Sequence, residues 1–100
     1  MNGVYTIDML RQTLSPIFQR NNVRKATLFG SYSRGEANEH SDVDLLVDSG
    51  LRGLRFFGLL DEVCESLKCD VDMIDTFDLI PGSPVDAEIQ KTGLVIYERH

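Results

Sequence analysis

The 100-residue chain carries 10 Lys and Arg against 16 Asp and Glu, a net charge of −6, with 42% apolar and 26% charged residues. That composition is ordinary for a soluble globular protein, and residues 1–100 are expected to form one domain that buries roughly two thirds of its unfolded surface. The acidic balance argues against nonspecific nucleic-acid binding, and no apolar run approaches the ~20 residues that span a bilayer.

The first residues, Met1-Asn2-Gly3-Val4-Tyr5, lack the basic and apolar regions of a signal peptide, so a cytosolic location is expected. From Thr6 the spacing of Ile7, Leu10, Leu14, Ile17 and Phe18 predicts a helix with one apolar face, ending at Asn21-Asn22. Pro16 falls inside that pattern. It removes a helical N–H, so a kink is expected there, or a restart with Ser15 as cap. Ala26-Thr27-Leu28-Phe29 reads as a strand closed by Gly30, and Asp42–Val47 as a second strand stopped by Ser49-Gly50. Phe56, Leu59, Leu60, Val63 and Leu67 mark a helix from about Leu54 to Leu67. Val71-Asp72-Met73-Ile74 is a third strand. Ser83 then caps a helix with Pro84 at its first position and Asp86 reaching back, and Gly93 ends it. Leu94-Val95-Ile96-Tyr97 is the last strand. Interleaved strands and helices predict an α/β (α+β) fold: a small mixed sheet backed by helices on one face. Cys64 and Cys69 fit neither a redox nor a zinc spacing and read as free thiols in a reducing compartment.

The chemistry concentrates between Gly30 and Asp44. A strand runs into Gly30-Ser31, and Ser31 can open a helical turn. Glycine lets a backbone approach a ligand closely, and N–H groups at a helical start favour an anion. The Ser31 hydroxyl adds a donor for a phosphate oxygen. A plain tight turn would show the same dipeptide. Gly30 and Gly35 have the separation of a Walker A loop, but Glu36-Ala37 stands where Lys and Ser or Thr are required, so that loop is excluded. A calcium loop is excluded because Leu46 occupies the third ligand position after Asp42 and Asp44.

In a strand, Asp42 and Asp44 point to the same side, within the apolar run Val43, Leu45, Leu46 and Val47. Two half-buried carboxylates repel, and a divalent cation between them removes the conflict; an edge strand with both in water is the alternative. If the third strand pairs with the second, Asp72 or Asp70 completes a three-carboxylate site of the kind magnesium shares with substrate phosphates. Asp72, flanked by Val71 and Met73, is favoured over Asp70 at the strand edge.

Taken together, Gly30-Ser31-x-x-Arg34-Gly35, Ser41-Asp42-Val43-Asp44-Leu45 and Val71-Asp72-Met73-Ile74 resemble the signature of the DNA polymerase beta-like nucleotidyltransferase superfamily, and most closely its minimal nucleotidyltransferases. The resemblance implies that Gly30, Ser31 and Arg34 bind the triphosphate. It implies that Asp42, Asp44 and Asp72 are catalytic, hold two magnesium ions and, through Asp72, deprotonate the acceptor. Tyr32-Ser33 departs slightly from the usual pattern at positions without a catalytic role. The implied reaction is transfer of AMP from ATP to a tyrosine hydroxyl on a small helical toxin of the HEPN type, with this chain as the antitoxin. A non-catalytic antitoxin that covers its partner is the alternative. The basic residues Arg52 and Arg55 with Lys68, or Arg24 with Lys25, are too few to line a nucleic-acid groove.

Overall fold

Thr6 opens the first helix by accepting a hydrogen bond from the Met9 N–H at 3.1 Å, and α1 runs from Ile7 to Arg20. A computed structural model describes residues 4–99; Met1, Asn2 and Gly3, part of the segment read for a signal peptide, lie outside the described residues. The elements that follow are β1 (Lys25–Phe29), β2 (Val43–Asp48), α2 (Leu54–Leu67), β3 (Val71–Asp75), a 3-10 turn (Thr76–Asp78), α3 (Pro84–Thr92) and β4 (Leu94–Glu98). Their order matches the sequence reading, with strand ends moved by a residue or two.

Pro16 neither breaks nor restarts α1, contrary to the restart at Ser15. Both Pro16 and Gln12, whose carbonyl loses its donor, face solvent, where water can take the vacant bond. The apolar stripe behaves as its spacing requires. Leu10, Leu14 and Phe18 of α1 and Leu59, Val63 and Leu67 of α2 are fully buried against the sheet, and each such side chain contributes roughly 2 kcal/mol by burial. Glu62 of α2 ties the two helices, pairing with Arg20 and accepting from Asn21 Nδ2.

The sheet order is β3-β2-β1-β4. β1 is antiparallel to both β2 and β4, and β2 and β3 are parallel, so the sheet is mixed. Val43, Leu45 and Val47 point into the core beneath α1 and α2. The alternate residues of β2, Asp44, Leu46 and Asp48, occupy the other face. The backing of the sheet by helices on one face therefore holds for α1 and α2, whereas α3 lies across the opposite face. There Ile89 and Gln90 share a cavity with Thr27, Leu46 and Asp48.

Ser83 caps α3 as expected, accepting from the Asp86 N–H at 3.2 Å, and Asp86 reaches back to the Gly82 N–H at 2.9 Å, one residue beyond the usual box. Gly93 ends α3 for a reason of space. Its φ is −62°, but a Cβ there would lie 2.4 Å from the Ile89 carbonyl oxygen and 3.1 Å from Cγ2 of Thr27. The two cysteines are unpaired thiols. Among the described residues no helix is long and apolar enough to cross a membrane.

Candidate active site

The β1–β2 pairing sets Phe29 opposite Asp44, and Gly30 then turns the chain with φ +75°. A Cβ on Gly30 would fall 2.2 Å from Oδ2 of Asp44, so the backbone of the turn lies directly against that carboxylate. The following residues coil rather than loop. The Gly30 carbonyl accepts from the Arg34 N–H at 3.2 Å and from Ser33 Oγ at 3.0 Å, and the Ser31 carbonyl accepts from the Glu36 N–H at 2.9 Å. Tyr32 is buried and anchors the coil in the core, its hydroxyl accepting from the Tyr5 N–H at 3.5 Å. Ser31 is left half-buried at the mouth of a cavity of about 430 Å³.

Asp42 and Asp44 form one side of that cavity and Gly30, Ser31 and Arg34 another. Asp42 stands one residue ahead of β2 but faces the same space as Asp44. The parallel register places Asp72 beside Asp44 on the neighbouring strand. Burial and then the charges of Asp72 and Asp42 push the Asp44 carboxyl up to about 6, against a lowering by Arg34. Asp70 is placed differently. Its carbonyl accepts from the Val43 N–H at 3.1 Å, and its side chain lines an adjacent groove with Asp42 and Lys68. The structure thus sets Asp42 and Asp44 together in the cavity beside the Gly30 turn, with Asp72 next to Asp44 on β3 but exposed and outside the cavity lining, and Asp70 to one side.

Arg34 crosses the rim, bonded to Glu36 and to Glu88 at 2.9 Å each. These two carboxylates hold the guanidinium in its charged form, and Thr92 with Arg34 keeps Glu88 ionised below its ordinary range. Glu88, Pro84 and Val85 close the cavity from α3 and were missed in the sequence. Only the return of α3 across the sheet brings them there; their one local signal is the four-residue step from Pro84 to Glu88, which puts both on one helix face.

Among the described residues, no three His, Cys, Asp or Glu side chains close into a ready-made metal cage. The donor set nonetheless fits magnesium, which takes one or two carboxylates and fills its other positions with water and phosphate oxygens. The mutual repulsion on Asp44 is the strain such an ion would relieve.

The family of polymerase beta nucleotidyltransferases matches residues 12–100. The chain is similar to protein adenylyltransferase MntA of Thermococcus cleftensis, 42% identical over 82 residues, or 79% of this chain and 78% of that protein. A Methanocaldococcus jannaschii protein, provisionally named a protein adenylyltransferase, is 41% identical over 44 residues, 44% of this chain; the match spans about half of that relative, 47%. The fold overlays on a toxin–antitoxin crystal structure with AMP-PNP at a TM-score of 0.74 and 23% identity, over 90% of this chain and 74% of that one. A tri-AMPylated Shewanella oneidensis HEPN toxin in complex with MNT antitoxin gives a TM-score of 0.69 at 20% identity, over 94% and 74%. At these identities the two overlays establish the fold.

Proposed function

The chain belongs to the polymerase beta nucleotidyltransferase family, and from that premise we propose that it transfers AMP from ATP to a tyrosine hydroxyl of a small helical HEPN-type toxin, which it thereby neutralises as antitoxin. One observation carries the reading: Asp44 lies beside Asp72 and faces one cavity with Asp42, against a glycine turn that offers Ser31 and Arg34. The relative named an adenylyltransferase, the neighbour holding AMP-PNP and the neighbour pairing an AMPylated HEPN toxin with an MNT antitoxin support it.

In this mechanism Gly30 lets the triphosphate reach the turn, and Ser31 donates to a phosphate oxygen. Arg34 sets a cation at the rim, where charge builds on the leaving pyrophosphate. Asp42, Asp44 and Asp72 would hold two magnesium ions, which supply Lewis acidity and neutralise phosphate charge. Asp72 accepts the proton of the attacking hydroxyl on a carboxylate oxygen.

The test is incubation with labelled ATP, magnesium and a small helical HEPN-type toxin. Label is expected on that partner. Replacing Asp42→Asn together with Asp44→Asn is expected to abolish labelling and protection while leaving partner binding intact. Protection that survives in the double variant would instead establish an antitoxin that acts by covering its partner.

A further inference from the structure

We propose that the outward face of α2 is a self-association surface, through which two copies of this chain pair by antiparallel α2 helices that cross at Gly58. The pairing is independent of the AMP-transfer reading.

α2 buries one side and leaves the other bare. Leu59, Val63 and Leu67 lie in the core. The opposite side carries Leu54, Gly58, Asp61 and Glu65 in one line, with Phe57 on one flank and Arg55 on the other, and all six residues are exposed. Leu54 is 89% exposed and Phe57 63%. The apolar surface continues past the helix start, where Arg52 lies over the exposed Phe77 ring, its guanidinium carbon 3.2 Å from the ring centroid. Adjoining large apolar side chains left this bare mark a surface that another molecule covers.

Gly58 points to a helix as the covering element. Glycine in a helix interior is the poorest helix former after proline. Nothing within the chain requires it at this position: its φ is not positive, and a Cβ there would meet nothing within 4 Å. The missing Cβ has a use where a second backbone comes close, because the distance between two packed helices is set by the side chains at their crossing.

The charges identify that second helix as another α2. Arg55 stands three residues before Gly58 and Asp61 three residues after it. In an antiparallel pair centred on Gly58, Arg55 of each copy comes level with Asp61 of the other, and the two Phe57 rings flank the crossing. Arg55, Asp61 and Glu65 have no oppositely charged group within 4.0 Å among the described residues, whereas Glu62 beside them is engaged by Arg20. A two-fold contact needs a surface complementary to itself, and this one is. A helix bearing charge of one sign would meet like charge on half of the face. The net charge of −6 repels two copies at long range, but at about 0.15 M salt a screening length of about 8 Å leaves the decision to the charges that face each other. α2 lies on the sheet face opposite α3, so pairing leaves the Gly30 cavity open. One helix crossing is a small interface, and association in the micromolar range is expected.

The full chain is examined by sedimentation equilibrium at about 0.15 M salt, from roughly 1 to 200 μM protein. A monomer–dimer equilibrium is expected. Gly58→Leu and Phe57→Glu are each expected to raise the dissociation constant about tenfold or more, with far-ultraviolet circular dichroism unchanged because both positions are exposed. Arg55→Asp and Asp61→Arg each set like charges across the crossing and are expected to be monomeric when alone. Mixed in equal amounts, these two variants are expected to associate at least as tightly as the parent, because each then supplies the charge the other lacks. A parent chain that stays monomeric throughout the range overturns the proposal. So does a dimer that Gly58→Leu and Phe57→Glu leave intact, which would run through another surface. Charge variants that fail to associate on mixing overturn the antiparallel crossing.

Discussion

A methyl group on Gly30 would meet Oδ2 of Asp44 at 2.2 Å, at a backbone φ of +75° that L side chains rarely adopt. Gly30→Ala therefore combines left-handed strain with a clash against the carboxylate the site depends on. It is expected to cost about 2 kcal/mol or more in urea denaturation and to weaken AMP-PNP binding in calorimetry. Asp44 shows the same crowding electrostatically. Its carboxyl sits at about 6 in the fold against an ordinary 3.8, because of burial and then Asp72 and Asp42. Between these values the native state binds more protons than the unfolded chain. The contribution of Asp44 to stability is thus full below the ordinary value and is lost as pH rises through about 6. Asp44→Asn removes that loss. With chelator present, thermal melts are expected to show the variant about 1 kcal/mol more stable than the parent at neutral pH, a figure discounted for a half-exposed carboxyl, and the two alike near pH 4. Added magnesium is expected to raise the melting temperature of the parent and not of the variant.

The elements are pinned at both ends of the β2–β3 pair. At the end away from the cavity, the buried Asp75 carboxylate accepts from the Ser49 N–H at 3.0 Å, from Ser49 Oγ at 2.6 Å and from the Phe77 N–H at 2.9 Å. One side chain thereby stops β2, ends β3 and starts the 3-10 turn. Asp75→Ala leaves those donors unpaired and is expected to cost about 2–4 kcal/mol in denaturation, with AMP-PNP affinity unchanged at temperatures where the fold persists. At the cavity end, the bridge from Arg34 to Glu88 and on to Thr92 Oγ1, 2.6 Å from Glu88, holds α3 against the Gly30 turn. The cavity beside the Gly30 turn is consequently assembled from the ends of β1 and β2 and from α3, which no contiguous stretch of sequence contains.

Over the whole molecule, folding and chemistry draw on different residues. The core of α1, α2 and the inward face of the sheet is apolar, while the carboxylates of the site stand at its rim. Chelation of divalent cations is therefore expected to abolish AMP transfer while leaving the far-ultraviolet circular dichroism unchanged, unlike a structural metal site, whose removal unfolds the chain. The net charge of −6 bears on partners in the same way. It repels nucleic-acid backbones.

Periodicity and punctuation were enough to read the helices and strands, because the stripe from Leu10 to Phe18, the capping Ser83 and the closing Gly93 act through neighbours in the chain. The Gly30-Ser31 turn and the pairing of Asp42 with Asp44 were legible for the same reason. Contacts between distant segments were not. The place of Asp72 beside Asp44 depends on a parallel register, the entry of Glu88 depends on α3 crossing to the second face, and the continuity of α1 through Pro16 depends on which side meets water. The sequence by itself determined the elements and the chemical groups available. Tertiary structure alone decided which groups share a cavity, because register and packing are settled by the burial of whole faces and leave no local trace at the residues they bring together.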